Sequence, residues 1–179
     1  MKKYLFSLLM IVPFLSGCES LSELTQFDLP FTQSVTVPPI STEFLALGMP
    51  ITLSTPEIET DIDSVLGSYG VETDFVEKIA LKEMTFTVSS PSGEDLSFLD
   101  DVTIYLTASG AEDVKVASAT DVSTTTPLTL TIENVDLKNY LLKDKFALKI
   151  KATADEATTV EHKVDISMKF GFDIKVLGL

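Results

Sequence analysis

The sequence lacks several residue types on which common protein chemistries depend. Its 179 residues contain no tryptophan and no arginine, one cysteine (Cys18) and one histidine (His162). A single cysteine excludes a disulfide within these residues and any zinc site built from several cysteine ligands. A triad of the Ser-His-Asp kind has only His162 available as its base, and no motif supplies a nucleophile beside it. The composition therefore leaves few enzyme classes open.

Positive charge is scarce as well. All 13 basic residues are lysines, against 27 acidic residues, so the net charge is −14. Contacts to phosphates need clustered positive charge, so we expect no nucleic-acid partner. Residues 19–137 hold three lysines and 21 acidic residues, whereas residues 138–179 hold eight lysines and six acidic residues. We expect the C-terminal lysines to pair with acidic residues on neighbouring strands. The alternative is an acidic face for a cation or a basic partner.

The first residues have the layout of a targeting signal. Two lysines follow Met1, an almost wholly apolar run covers Tyr4–Leu15, and Ser16-Gly17-Cys18 comes next. A basic start, a short apolar run and small residues at the cleavage site are typical of a signal peptide. The apolar run is shorter than the about 20 residues that a membrane-spanning helix needs. The alternative is an ordinary secretory signal with an incidental cysteine.

Leu15-Ser16-Gly17-Cys18 resembles the lipobox of bacterial lipoprotein precursors. The resemblance implies that Cys18 is acylated, becomes the first residue of the mature protein and binds the membrane through a lipid anchor. In such proteins of two-membrane bacteria, aspartate after the cysteine is associated with retention in the inner membrane. Glu19 therefore favours the outer membrane, and we expect the protein in the bacterial cell envelope.

The remaining chain is predicted to be one domain. We expect a signal peptide at 1–17, a lipid anchor and tether at 18–32 and a single domain at 33–179. Apolar and polar residues alternate from Val160 to Val176, which predicts a long strand with one buried face. Shorter alternating runs predict further strands at 84–88, 102–106, 114–116, 128–132 and 146–152, with 34–37 and 51–54 as additional candidates. The pattern predicts an all-β fold, an antiparallel β-sandwich of about seven to eight strands.

Short helices are expected to cap the ends of this sandwich. Helical spacing predicts a helix at Asp61–Leu66, a helical turn around Phe75–Ile79 with Asp74 as its cap, and a connector at Asp136–Leu142. The short stretch Asp155–Ala157 predicts a hairpin between the last two strands. A glycine in a strand often marks a bulge, and Gly171 is placed to do so.

Two candidate sites follow from the residues. His162 lies on the apolar side of the last strand, near its start, where we expect it to form local hydrogen bonds. Calcium takes six to eight oxygen ligands, and carboxylates in loops at the end of a sandwich are a common source. A calcium site is therefore a hypothesis, with solvated acidic loops as the alternative, on Glu94, Asp95, Asp100 and Asp101. We expect no catalytic residue and no other cofactor.

The domain resembles small β-sandwich lipoproteins of unknown function. It is also similar, in strand count and in its long final strand, to the late-embryogenesis-abundant type 2 sandwich, although the Asn-Pro motif of that family is absent. We expect a non-enzymatic binding or scaffolding module for an envelope protein or glycan. The alternatives are a structural or protective envelope protein and a hydrolase acting through paired carboxylates. The hydrolase is disfavoured because tryptophan and arginine, which stack on and orient sugars, are missing.

Overall fold

A computed structural model describes residues 26–122 and 127–175. These residues form ten strands in two antiparallel sheets, which confirms an all-β sandwich. The count exceeds the expected seven to eight partly because the predicted strand at 128–132 is two short strands, 128–129 and 131–132, in different sheets. In chain order the strands are β1 (Gln26–Val37), β2 (Ile51–Ser54), β3 (Ile58–Glu59), β4 (Val76–Ser90), β5 (Leu99–Thr107), β6 (Val114–Ala119), β7 (Leu128–Thr129), β8 (Thr131–Ile132), β9 (Lys145–Ala154) and β10 (His162–Ile174). One sheet has the order β1-β10-β4-β7. The other has the order β2-β9-β5-β6-β8, with β3 also paired to β9.

The hydrophobic core lies between the sheets because the alternating strands turn their apolar side chains inward. In β10 the side chains at every even position from 162 to 172 are buried, and most of those between them are exposed. Three phenylalanines from three strands meet edge to face: Phe31 lies 5.7 Å from both Phe146 and Phe170, and those two rings lie 6.0 Å apart. Such aromatic pairs contribute roughly 0.5–1.5 kcal/mol each beyond the burial of area.

Strand β1 starts earlier than the sequence predicted. Its 12 residues pair with β10 from Gln26↔Asp173 to Val37↔His162, so residues 26–32 belong to the sheet and not to a tether. The Phe27 ring stacks on the Phe172 ring with the ring centres 5.0 Å apart, and this contact holds the first residues of β1 against the core. Cys18 and the rest of the predicted anchor segment up to residue 25 lie outside the described residues.

The predicted hairpin at 155–157 is wrong. Strands β9 and β10 belong to different sheets, so residues 155–161 cross from one sheet to the other. Alternation shows which face of a strand is buried, but it does not name the neighbouring strand. Seven residues easily span the about 10 Å that separates two packed sheets.

Two of the three predicted helical segments are confirmed, and the structure adds one helix that the sequence pattern did not predict. The added helix is α1 (Thr42–Ala46), the confirmed helices are α2 (Ile62–Ser68) and α3 (Lys138–Leu141), and a 3-10 turn covers Thr73–Phe75. The predicted helical turn at 75–79 is instead the start of β4. Val76 and Ile79 are both buried because a register shift against β10 leaves Glu77 without a partner. This bulge places two buried residues three positions apart, a spacing that imitates a helix.

Gly171 marks a bulge, but the extra residue is in the neighbouring strand. The pairs Lys169↔Glu83 and Phe170↔Leu81 leave Lys82 of β4 unpaired. The Lys82 side chain then lies across Gly171, where a Cβ atom would collide with it. Glycine at this position therefore makes room for a lysine stem on the outer face of the sheet.

Candidate functional site

Most of the predicted site residues lie at one end of the sandwich. At this end the backbone of Ile40 exchanges hydrogen bonds with Thr158, at 3.1 and 2.9 Å, and Asp155 N–H donates to the Phe98 carbonyl at 3.2 Å. The loops at 38–41, 91–98 and 155–161 are thereby joined. We call this region the acidic end and define it by seven of its carboxylates: Glu94, Asp95, Asp100, Asp101, Asp121, Asp155 and Glu156.

Ion pairs of the described residues lie away from the acidic end. Lys149 contacts Asp113 at 2.8 Å, and Lys169 contacts Glu83 at 2.8 Å. These pairs confirm that C-terminal lysines neutralise acids on neighbouring strands and loops. Within 26–122 and 127–175, no lysine comes within ion-pair distance of the seven carboxylates. The acidic end therefore keeps its negative charge, and the pKa of Asp100 is raised, first by Asp101 and then by burial and by Asp155 and Asp121.

A cleft of about 310 Å³ opens at the acidic end, and we call it the His162 cleft. The loop between β4 and β5 forms one wall and the crossing between β9 and β10 forms the other. The residues that line it are Glu94, Asp95, Ser97, Phe98, Glu156, Ala157, Thr158, Thr159, Val160 and His162. It thus combines three carboxylates and several hydroxyls with one imidazole.

Asp95 is fixed in position on one wall of this cleft. Its carboxylate accepts a hydrogen bond from the backbone N–H of Ser97 at 2.9 Å, as in an Asx turn. Hydrogen bonds from the Ser97 side chain and backbone lower the pKa of Asp95. Asp95 therefore carries a negative charge at neutral pH, in the same cleft as His162.

His162 is the buried polar group of the cleft. Only 2% of its surface is exposed, and its ring packs against Phe98 with the ring centres 4.7 Å apart. Its Nδ1 atom is buried and has no hydrogen-bond partner among the described residues. The prediction that His162 lies on the apolar face of the strand is confirmed. The local hydrogen bond expected for its side chain is absent at Nδ1 among the described residues. A buried polar group left without a partner costs roughly 1–3 kcal/mol.

The four residues of the calcium hypothesis fall into two groups. Glu94 and Asp95 line the His162 cleft, whereas Asp100 and Asp101 lie at the start of β5 beside Asp121 and Asp155. In the described parts of the chain, no three or more histidine, cysteine, aspartate or glutamate side chains form a group that could hold a metal ion. Calcium binding at these four residues remains a hypothesis, and their separation into two groups favours its alternative, solvated acidic loops.

Glu156 and Phe98 were not singled out from the sequence as site residues. They reach the cleft because residues 155–161 cross between the sheets beside the 91–98 loop, and that meeting depends on the pairing of strands far apart in sequence. In the sequence, the feature that indicates this cleft is His162, because it is a titratable side chain at a position where alternation predicts burial.

At the opposite end of the sandwich, which contains Gln26 and Asp173, the surface clefts are lined by both lysines and carboxylates. Lys145 lies 3.4 Å from Glu59 and 3.9 Å from Glu57, and Lys143 donates to the carbonyl of Ser109. Some carboxylates at this end therefore have a lysine within ion-pair distance, unlike the seven carboxylates that define the acidic end.

None of the helices in the described ranges has the length and the apolar character needed to cross a membrane. No protein-family model matches the chain, and no curated protein does. A solved structure titled Desmodium yellow mottle tymovirus is similar to it at a TM-score of 0.31 and 12% sequence identity, over 97% of this chain and 99% of that chain.

Proposed function

We propose that the protein is a lipid-anchored, non-enzymatic binding module of the bacterial envelope, held at the outer membrane through Cys18. The module binds an envelope protein or a glycan with the loops of its acidic end. The observation that carries the proposal is the direction of strand β1, which begins at Gln26 and ends at Val37 beside His162.

The direction of β1 sets the distance between an anchor and the site. At about 3.3 Å per residue, the strand spans roughly 35 Å between its two ends. Seven residues separate Cys18 from Gln26 in the sequence, and even fully extended they reach at most about 28 Å. A lipid on Cys18 would therefore hold the end with Gln26 near the membrane and turn the acidic end away from it.

The chemistry of the acidic end supports binding rather than membrane contact. Its carboxylates lack lysine partners in the described residues, so they repel an anionic lipid surface. Open loops carried on a rigid sandwich are a common location for binding residues. The exposed side chains of Leu47 and Met49, which are 64% and 53% exposed, lie on the loop that leads from β1 and α1 into β2 at the same end.

Membrane fractionation and cross-linking test this proposal together. Cys18→Ala is expected to leave the protein unprocessed or soluble, whereas the parent protein stays in the membrane fraction at its processed mass. In cells, cross-linking and pull-down through a tag after Leu179 should give a reproducible partner that is lost when residues 26–175 are deleted and the anchor is kept. Membrane recovery of the Cys18→Ala variant at the processed mass would refute the anchor.

A further inference from the structure

We propose that the His162 cleft receives a lysine ammonium group from a basic segment of a protein partner, with Nδ1 of His162 as one acceptor and the carboxylates of Glu94, Asp95 and Glu156 as its counter-charges. This inference rests on the proposed function, because it names the class of partner that the acidic end binds.

The Nδ1 atom of His162 supports a ligand in the cleft because it has no hydrogen-bond partner among the described residues. His162 is 98% buried, lines the cleft and has no partner for Nδ1 among the described residues. Buried polar atoms in proteins are nearly always satisfied, so such an atom in a binding cleft indicates a missing partner. When the ring proton is on Nε2, the neutral imidazole accepts a hydrogen bond at Nδ1. We assign this tautomer to the bound state, in which the ligand supplies the hydrogen-bond donor.

The charge of the cleft is the second argument. Glu94 and Asp95 lie on one wall and Glu156 on the other, and the hydrogen bonds from Ser97 keep Asp95 ionised. Asp100, Asp101, Asp121 and Asp155 add to the negative potential around the cleft. A positively charged hydrogen-bond donor would serve both as the partner of Nδ1 and as the counter-charge of the carboxylates. Its hydrogen bonds would also be stronger than those of a neutral donor, because they are charge-assisted.

The shape of the donor set distinguishes an ammonium group from a metal ion. An ammonium group has three donors on a flexible stem and needs no preformed coordination geometry. Metal ions need several ligands at fixed distances, and the described residues gather no such group of three. A cleft of about 310 Å³ has room for one extended side chain and a few waters.

A basic segment also fits the surface around the cleft. Val160 on the rim is 44% exposed, and it offers apolar contact to the methylene stem of a lysine. Neighbouring lysines of the same segment would meet the carboxylates outside the cleft, which increases the association rate through electrostatic steering.

The histidine ring provides a direct test. Because His162 is the one histidine in the sequence, labelling histidine with ¹³C and ¹⁵N gives a single set of ring signals. The probe is a tri-lysine peptide, acetylated at its N-terminus and amidated at its C-terminus, added to the full-length protein in a non-ionic detergent. We expect the Nδ1 signal to shift and to saturate. The same peptide with acetylated lysine side chains should leave the signal unchanged, because acetylation removes the charge.

Two triple variants distinguish binding by the carboxylates of the cleft from a general effect of the protein's net charge. Glu94→Gln, Asp95→Asn and Glu156→Gln together are expected to weaken the tri-lysine affinity by about tenfold or more. The matched control is a set of exposed acids at the opposite end, changed in the same way: Glu72→Gln, Asp74→Asn and Glu112→Gln. The control removes the same charge and should change the affinity by less than about twofold.

A third variant isolates the imidazole. His162→Phe keeps an aromatic ring beside Phe98 and removes the nitrogen, so binding measured by calorimetry should weaken. An unmoved His162 signal, or equal weakening by both triple variants, would overturn the proposal. A ring signal that responds to Zn²⁺ and not to tri-lysine would also overturn it, in favour of a metal site. If tri-lysine binding fails while cells still yield a partner that needs residues 26–175, the lysine specificity fails and the proposed function survives.

Discussion

Phe31→Ala tests whether the chain before residue 33 belongs to the folded domain. Phe31 is half-buried and makes two edge-to-face contacts, with Phe146 and Phe170, each at 5.7 Å. Removing a fully buried phenylalanine ring costs about 3–5 kcal/mol. Since Phe31 is partly exposed, we expect the free energy of unfolding to fall by about 2–4 kcal/mol, with the two lost aromatic contacts included.

The assay is equilibrium unfolding in urea, supported by thermal melting. For a domain of this size, 1 kcal/mol corresponds to roughly 2–4 °C, so the melting temperature should fall by about 4–16 °C. Thr32→Ala, the exposed neighbour in the same strand, is the control and should change the stability by less than about 0.5 kcal/mol. If Phe31→Ala matches the control, residues 26–32 are a tether, and the structural account of β1 is refuted.

Three further predictions concern the charged groups. The Ser34 hydroxyl donates to Asp165 at 2.7 Å and lowers the pKa of that carboxyl, so the carboxylate stabilises the fold at neutral pH and this is lost as the pH falls through the folded-state pKa. Ser34→Ala should raise the titration midpoint of Asp165 measured by carboxyl NMR, and an unchanged midpoint would remove the role of the hydroxyl. The pKa of Asp100 is raised by its acidic neighbours, so its charge opposes folding above that pKa and has no effect below the unfolded value. Asp100→Asn should therefore raise the melting temperature at pH 7 but not near pH 3, and by less in high salt; a fall at pH 7 would contradict this. Because the four proposed calcium ligands lie in two groups, calcium should leave the melting temperature equal to that in chelator, and a clear rise would restore the calcium hypothesis.

The sequence was sufficient to predict the class of the fold, because alternation is a local property. The inward residues of β10 and the strands at 84–88, 102–106 and 146–152 all lie where the period of two places them. The same alternation is present at Phe27, Leu29 and Phe31, and it indicates that part of the expected tether packs against the domain. Proline is tolerated at the edge of a sheet, and β1 is an edge strand, so Pro30 does not end it.

Local sequence patterns do not predict which strands lie beside one another. The sequence suggested that β9 and β10 form a hairpin, although they lie in different sheets. Nothing in the period of two distinguishes a neighbour in the same sheet from one across the core. Bulges at Glu77 and Lys82 shift the period within β4, and they became visible only when its pairing with β10 was known.

The candidate site was predictable only in part, for the same reason. Glu94, Asp95 and His162 were identified as individual residues of interest, but the cleft they share with Glu156 depends on the crossing of residues 155–161 between sheets. Likewise, the alternating sequence predicts that lysines of the C-terminal strands pair with acidic residues. Among residues 26–122 and 127–175, the absence of such pairs at the acidic end follows from where the loops lie.

Site-specific photo-cross-linking in cells is the most direct test of the central claim, that the acidic end binds a partner away from the membrane. A photoreactive residue replaces the exposed Ala157 at the acidic end in one strain and Asp74 at the opposite end in another, and both proteins carry the same tag. We predict a reproducible protein adduct from position 157 that is absent from position 74 and is reduced by Glu94→Gln with Asp95→Asn. Equal adducts from both positions, or adducts from position 74 alone, would contradict the account.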